Sequence, residues 1–237
     1  MATALLIRHG RTTANSSGTL AGWTPGVLLD DVGQEQVAAL GARVADVPLT
    51  AVVTSPLERC RQTTTVLLGD RQVPVHLDED IAEVRYGDWT GKSLKILAKD
   101  PLWKVVQQHP SNARFPGSEG EGLAAMQCRA VAAVRRWNTE LGPEAVYAVV
   151  SHGDVIKAVL ADALGLHLDL FQRIVVDPAS LSVVRYGDTR PFVERMNDSG
   201  GDVSALHPPK RRRRTRKSED AAVGGGAGPS PRSRRKP

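Results

Sequence analysis

The sequence predicts an α/β fold of three layers, a mostly parallel central sheet with helices on both faces, and three observations carry that prediction. Short β-branched or apolar runs alternate with segments of helical period. The runs stop abruptly at Gly, Pro or polar turns. The most uniformly apolar of them, Val146-Tyr147-Ala148-Val149-Val150-Ser151, leads straight into a helical segment, as a central strand of a parallel sheet does. With 237 residues, 41% of them apolar, the chain is long enough to build a proper core.

Taken in order, the first strand covers residues 3–8 and ends in Arg8-His9-Gly10, followed by a polar loop through Asn15 and Gly18. Residues 33–44 place Val37, Leu40 and Val44 at helical spacing behind Asp30 or Asp31, either of which can cap the helix. Residues 51–55 form a second β-branched strand, stopped by Pro56 before a helix over 57–68, and a third strand covers 73–77. The rhythm then breaks from Asp78 to about Pro116, where Glu83 and the run Tyr86-Gly87-Asp88-Trp89-Thr90-Gly91 precede short helical pieces over 93–99 and 101–109. Such an excursion reads as a short cap over the strand ends, here about 88–117. Helical period returns over 122–141 with Met126, Val131 and Val134 inward, the strand 146–151 follows, and His152-Gly153-Asp154 opens a helix to about 164. Two last strands, 180–186 and 192–196, join at Gly187-Asp188. After Asn197 no periodicity remains, which defines a domain over 1–203 and a C-terminal tail over 204–237, expected to be disordered.

The net charge of +5 belongs to that tail: from Ser204 onward there are 11 Lys/Arg and 2 Asp/Glu, leaving a body of −4. Without interleaved aromatics, such a run implies weak, non-specific polyanion binding at most. No stretch reaches the ~20 apolar residues of a membrane span, and Met1-Ala2-Thr3-Ala4 enters the first strand without a charged leader, so a cytoplasmic address is expected. Cys60 and Cys128 lack Cys-x-x-Cys or Cys/His spacing, which points away from a disulfide framework or a zinc site and toward chemistry without metal or cofactor. The abundance of Ala, Arg, Gly and Val is that of a GC-rich bacterial genome.

Three expected strands end in a cationic or titratable group: Arg8-His9 after the first, Arg59 past the second and His152 after the fourth. In a parallel sheet these ends share one edge, so residues remote in sequence converge. Two guanidiniums and two imidazoles suit a compact dianion, and phosphate fits the arginine fork best. The helix ends at Gly153 and near Arg59 add backbone donors, and Thr12 and Asn15 can add neutral hydrogen bonds. Arg8 and Arg59 would keep His9 neutral and therefore able to attack phosphorus, with Arg8, Arg59 and His152 stabilising the charge that develops. Glu83 is the candidate proton donor to the leaving alcohol; a loop carboxylate paired with Arg85 is the alternative, with Glu79 and Asp80 as competitors. Trp23 and Trp89 are candidates for the pocket mouth or the core, and Cys60 for a small buried residue. His76, His109, His167 and His207 lack a strand-end position.

These motifs resemble the histidine phosphatase superfamily, the phosphoglycerate mutase-like proteins. The resemblance rests on Arg8-His9-Gly10-Arg11-Thr12 with Asn15, on Ser55-Pro56-Leu57-Glu58-Arg59, on Glu83 with Tyr86 to Gly91, and on Ser151-His152-Gly153-Asp154. It spans about 3–197 and is strongest toward actinobacterial proteins labelled phosphomutase or acid phosphatase. It implies that His9 is the phosphorylated nucleophile, that Arg8, Arg59 and His152 form the phosphate pocket with Asn15 nearby, and that Glu83 is the proton donor. The expected activity is metal-independent hydrolysis of a phosphomonoester of a small metabolite; a phosphomutase, a polyanion-binding protein and a catalytically silent phosphate sensor are the alternatives. A homodimer would suit the family.

Overall fold

The computed structural model describes residues 1–201 and, beyond them, Val223, Gly224, Gly226 and Gly228. Among the described residues there is one six-stranded sheet, built from β1 (Ala2–Arg8), β2 (Ala51–Thr54), β3 (Val75–Leu77), β4 (Val146–Ser151), β5 (Leu181–Tyr186) and β6 (Pro191–Asp198), in the spatial order β3-β2-β4-β1-β5-β6. The first four run parallel to their neighbours, whereas β5 is antiparallel to β1 and closes a hairpin with β6. The apolar strand 146–151 is central, as its composition requires.

Alternation along the strands assigns the two faces. Leu5 and Ile7 of β1, Val52 of β2 and Ala148 and Val150 of β4 meet Val37 and Leu40 of α2 (Asp31–Arg43) and Leu67 of α3 (Glu58–Leu68). Ala4, Leu6, Tyr147 and Val149 face the other way, toward Met126 and Val134 of α6 (Leu123–Leu141) and Ile156 and Val159 of α7 (Gly153–Ala163). The three-layer arrangement expected from the sequence is therefore present. Asp30 caps α2 by accepting from the Gly33 amide at 2.8 Å. A short helix, α1 (Thr13–Ser17), stands where the sequence reads as a polar loop. It has no apolar stripe and is closed by a capping box between Thr12 and Asn15.

Between β3 and α6 the chain makes its excursion, with α4 (Leu94–Leu97), α5 (Pro101–Gln108) and three single 3-10 turns at Glu79–Ile81, Gly87–Trp89 and Pro110–Asn112. Trp89, Trp103 and Phe115 give it an apolar centre of its own that merges with the core over α6 and α7. Its tip docks on the loop after α1 through the Gly91 amide to the Leu20 carbonyl at 2.7 Å and the Leu94 amide to the Gly18 carbonyl at 2.8 Å. The expected disordered tail falls mostly on residues outside those described. No described helix is long and apolar enough to cross a membrane.

Candidate active site

The parallel strands deliver their ends to one edge. The His9 amide donates to the Ser151 carbonyl at 3.0 Å, which ties the turn after β1 to the end of β4. The turn is pressed against α2: a Cβ on Gly10 would lie 2.7 Å from the Gly33 carbonyl oxygen and 2.8 Å from Val37 Cγ2, so glycine is required by close approach. Arg8, His9, Arg59, Glu83 and His152 are each at least 97% buried and stand together.

Hydrogen bonding fixes the two histidines differently. His9 Nδ1 lies 2.8 Å from the Gly10 carbonyl oxygen. A carbonyl can only accept, so Nδ1 carries the proton and Nε2 keeps its lone pair. Burial, then Arg59 and Arg8, hold the imidazole pKa well below 6.5 and keep the ring neutral. His152 lies edge-on to it, ring centroids 5.3 Å apart. Its Nδ1 is 3.2 Å from Arg59 Nη2, a pure donor, so this nitrogen accepts; Nε2 carries the proton toward Ser55 Oγ at 2.8 Å. Burial, followed by Arg59, also holds His152 well below its ordinary value.

Arg59 Nη2 additionally donates to the Gly22 carbonyl at 2.9 Å, while Nη1 is buried with no hydrogen-bond partner among the described residues. An unsatisfied buried guanidinium N–H is costly in a resting fold and is the natural complement of an incoming oxyanion. Glu83 stands beside these groups with Oε2 3.8 Å from the unprotonated His152 Nδ1 and Oε1 accepting from the Val84 amide at 3.0 Å. Burial, then the neighbouring Asp154 carboxylate, raises its pKa to about 7 against the opposing pull of Arg59 and Arg8.

A cavity of about 30 Å3 opens among these groups, lined by His9, Thr12, Asn15, Arg59 and Glu83, with Leu94 from the excursion. Thr12 and Asn15 already bond to each other, Oγ1 to Oδ1 at 2.9 Å. Arg8, His152 and Gly153, all buried, are not among the lining residues. Trp89 is core, and Cys60 is a buried thiol pushed up to about 12 by burial.

Some of the residues that hold the site, Arg129 and Lys157, were not singled out from the sequence, and neither were the contacts of Trp23 and Ser151. Arg129 of α6 donates to the carbonyls of Asp80, Ala82 and Glu83 at 2.7, 2.8 and 3.2 Å and grips Glu121 through two nitrogens at 2.7 and 2.9 Å. Trp23 Nε1 donates to the same Glu83 carbonyl at 2.7 Å, and Ser151 Oγ donates to the Ile81 carbonyl at 2.6 Å. The loop carrying Glu83 is thus clamped by its main chain. Tyr86 donates to Asp154 Oδ2 at 3.1 Å, and Lys157 reaches Asp154 Oδ1 at 3.4 Å. Asp154 and Tyr86 lie within the sequence motifs; the periodicity of α6 gave no signal for Arg129.

Among the described residues no group of three or more His, Cys, Asp or Glu is placed to hold a metal ion. The description of the histidine phosphatase superfamily (branch 1) matches residues 4–199. An adenosylcobalamin/alpha-ribazole phosphatase of Escherichia coli is 31% identical over 189 residues, 76% of this chain and 87% of that protein. A probable phosphoglycerate mutase of Erwinia tasmaniensis is 28% identical over 205 residues, 85% of this chain and 93% of that protein. The crystal structure of an alpha-ribazole phosphatase from Shigella flexneri superposes with a TM-score of 0.74 at 28% identity, covering 85% of this chain and 98% of that one.

Proposed function

The chain belongs to the histidine phosphatase superfamily, and from that premise we propose that it is a metal-independent phosphatase that hydrolyses a phosphomonoester of a small metabolite through phosphohistidine on His9. One observation carries the reading: a buried imidazole with its Nδ1 proton committed to Gly10 stands opposite a carboxyl whose pKa of about 7 leaves it substantially protonated near neutrality. Nucleophile and acid are thereby in the required states together.

In the first step His9 Nε2 forms a bond to phosphorus while the ester P–O bond breaks and Glu83 passes its proton to the departing alcohol oxygen. Arg8, Arg59 and neutral His152 hold the phosphoryl oxygens, supported by Thr12, Asn15 and the Gly153 amide, so the two guanidiniums neutralise the charge that spreads over them. In the second step the Glu83 carboxylate takes a proton from water as its oxygen attacks phosphorus. The P–N bond breaks, and inorganic phosphate leaves neutral His9 and protonated Glu83 behind.

Hydrolysis is favoured over phosphoryl return to the same molecule by what the excursion brings. Lys92, Lys95, Lys99, Lys104 and Arg114 are all exposed, whereas apolar Leu94 is what the tip contributes to the cavity lining. Among the described residues, therefore, the tip adds no cation to the cavity lining. The mutase reading, favoured by the Erwinia tasmaniensis relative, would require isomers of a phosphoglycerate to interconvert faster than phosphate is released.

Rapid quenching with a 32P-labelled ester tests the main reading. Acid-labile, base-stable label is expected on the parent and none on His9→Ala, whose turnover falls at least about 1,000-fold; an acid-stable phosphoenzyme or an active variant would refute it. The cytoplasm is the proposed location, in keeping with two free cysteines. A homodimer and weak polyanion binding by the basic run are proposed as secondary properties, to be read by light scattering and by salt-dependent binding.

A further inference from the structure

Residues from far beyond the domain reach the same pocket. Val223 is 1% exposed and belongs to the large core cluster. The Gly224 amide donates to Asp154 Oδ2 at 2.8 Å, and the Gly224 and Gly226 carbonyls accept from Arg8 Nη2 at 3.4 Å and Nη1 at 2.8 Å. Val223, Gly224 and Gly226 all line the cavity with His9, Arg59 and Glu83. We propose that Val223, Gly224 and Gly226 form a built-in ligand of the phosphate pocket, whose main-chain carbonyls compete with oxyanions for Arg8.

The residue types are those the contact demands. Gly224 has φ +74°, and a Cβ there would meet Leu20 Cδ1 at 2.9 Å and Tyr86 Oη at 3.4 Å. Gly228, at φ +72°, would place a Cβ 3.1 Å from Pro178 Cδ. Side chains are excluded by conformation and by space, while Val223 supplies the apolar anchor. Carbonyl oxygens offer Arg8 the acceptors that phosphate oxygens would, but without charge, so a dianion binds the guanidinium more strongly and can displace them. The remaining 30 Å3 admits no more than a water or two. Being covalently attached, the segment competes at a local concentration that dilution does not lower.

The inference rests on the phosphate-pocket reading only for the identity of the competitor, and the test does not require turnover. Full-length parent, Val223→Asp and Gly224→Val are titrated calorimetrically with inorganic phosphate after thermal melts confirm folding. A buried carboxylate or a β-branched side chain at positive φ should expel the segment, so phosphate should bind both variants roughly tenfold more tightly if the seated form holds nine-tenths of the parent. For an aryl phosphate, KM should fall in the same ratio with kcat unchanged. In the parent, hydrogen exchange should find the Gly224 amide protected and phosphate should remove that protection. Equal phosphate affinity in all three chains, or an unprotected Gly224 amide, would overturn the proposal while leaving the phosphatase reading standing. Phosphate binding to none of them would overturn both.

Discussion

Replacing Glu83 by Gln should cripple hydrolysis of alkyl esters and stabilise the fold at the same time. The carboxyl is 3% exposed, and its pKa rises from 4.5 to about 7, chiefly through burial. Because the folded-state pKa lies above the unfolded one, Glu83 contributes stability that is full below pH 4.5 and lost as pH rises through 7. A rise to about 7 corresponds to about 3 kcal/mol, most of which disappears between pH 5 and pH 8. Gln has nearly the same shape, can accept from the Val84 amide and never ionises. Relative to the parent, Glu83→Gln should therefore gain about 2–3 kcal/mol across that interval, read by denaturant unfolding at both pH values. The activity arm uses the leaving group. An alkyl phosphate needs a proton on its departing oxygen and should lose roughly 100- to 10,000-fold in kcat/KM. An aryl phosphate with an acidic phenol should lose much less. In the parent the alkyl ester should also show kcat/KM falling above pH 7, a limb the variant lacks. A variant equally impaired on both esters, or destabilised relative to the parent on going from pH 5 to pH 8, would refute the assignment of Glu83 as a buried acid.

Arg129→Ala removes the partner of Glu121 and of three carbonyls in the Glu83 loop, and it should cost about 3 kcal/mol. It should also lower kcat more than it raises KM and move the alkaline limb of the pH profile; a fall in Tm with that limb unmoved would reduce Arg129 to a purely structural role. Activity should survive exhaustive treatment with EDTA, since Arg8 and Arg59 supply the charge; loss on chelation, restored by a divalent ion, would contradict this. Gly33→Ala should destabilise by roughly 1–3 kcal/mol, measured by thermal unfolding, although alanine ordinarily favours a helix. Its Cβ would collide with the Arg11 carbonyl oxygen. A neutral or stabilising result would contradict the packing of the His9 turn on α2.

The convergence of Arg8, Arg59 and His152 was legible because strand polarity alone brings the ends of β1, β2 and β4 to one edge. The helices were legible where apolar residues recur, as at Val37 and Leu40. Thr13–Ser17 carries no such pattern, and its helix exists because Thr12 and Asn15 satisfy its first turn. Residue type alone does not separate Glu83, the proton donor the sequence points to, from Glu79 and Asp80. What sets it apart is burial under clamps from Arg129, 46 positions away, and from Trp23, 60 positions away, which local pattern cannot encode. Val223 stayed hidden for a similar reason: one valine before a glycine run shows no period, and its burial comes entirely from a cavity made by other elements.

The way the excursion is attached bears on how the enzyme can change. Its tip is joined to the loop after α1 by main-chain bonds, the Leu20 amide to the Lys92 carbonyl at 2.9 Å among them, and these do not depend on which side chains the tip carries. The foot bearing Glu83 is held separately, by Ser151, Trp23 and Arg129. Recognition of the alcohol can therefore drift while the phosphoryl chemistry stays fixed. A randomised library at Leu94, the tip residue that lines the cavity, should yield folded phosphatases that differ in the ester they prefer. In that sense the substrate is a variable written on a removable surface, and the reaction is the constant beneath it.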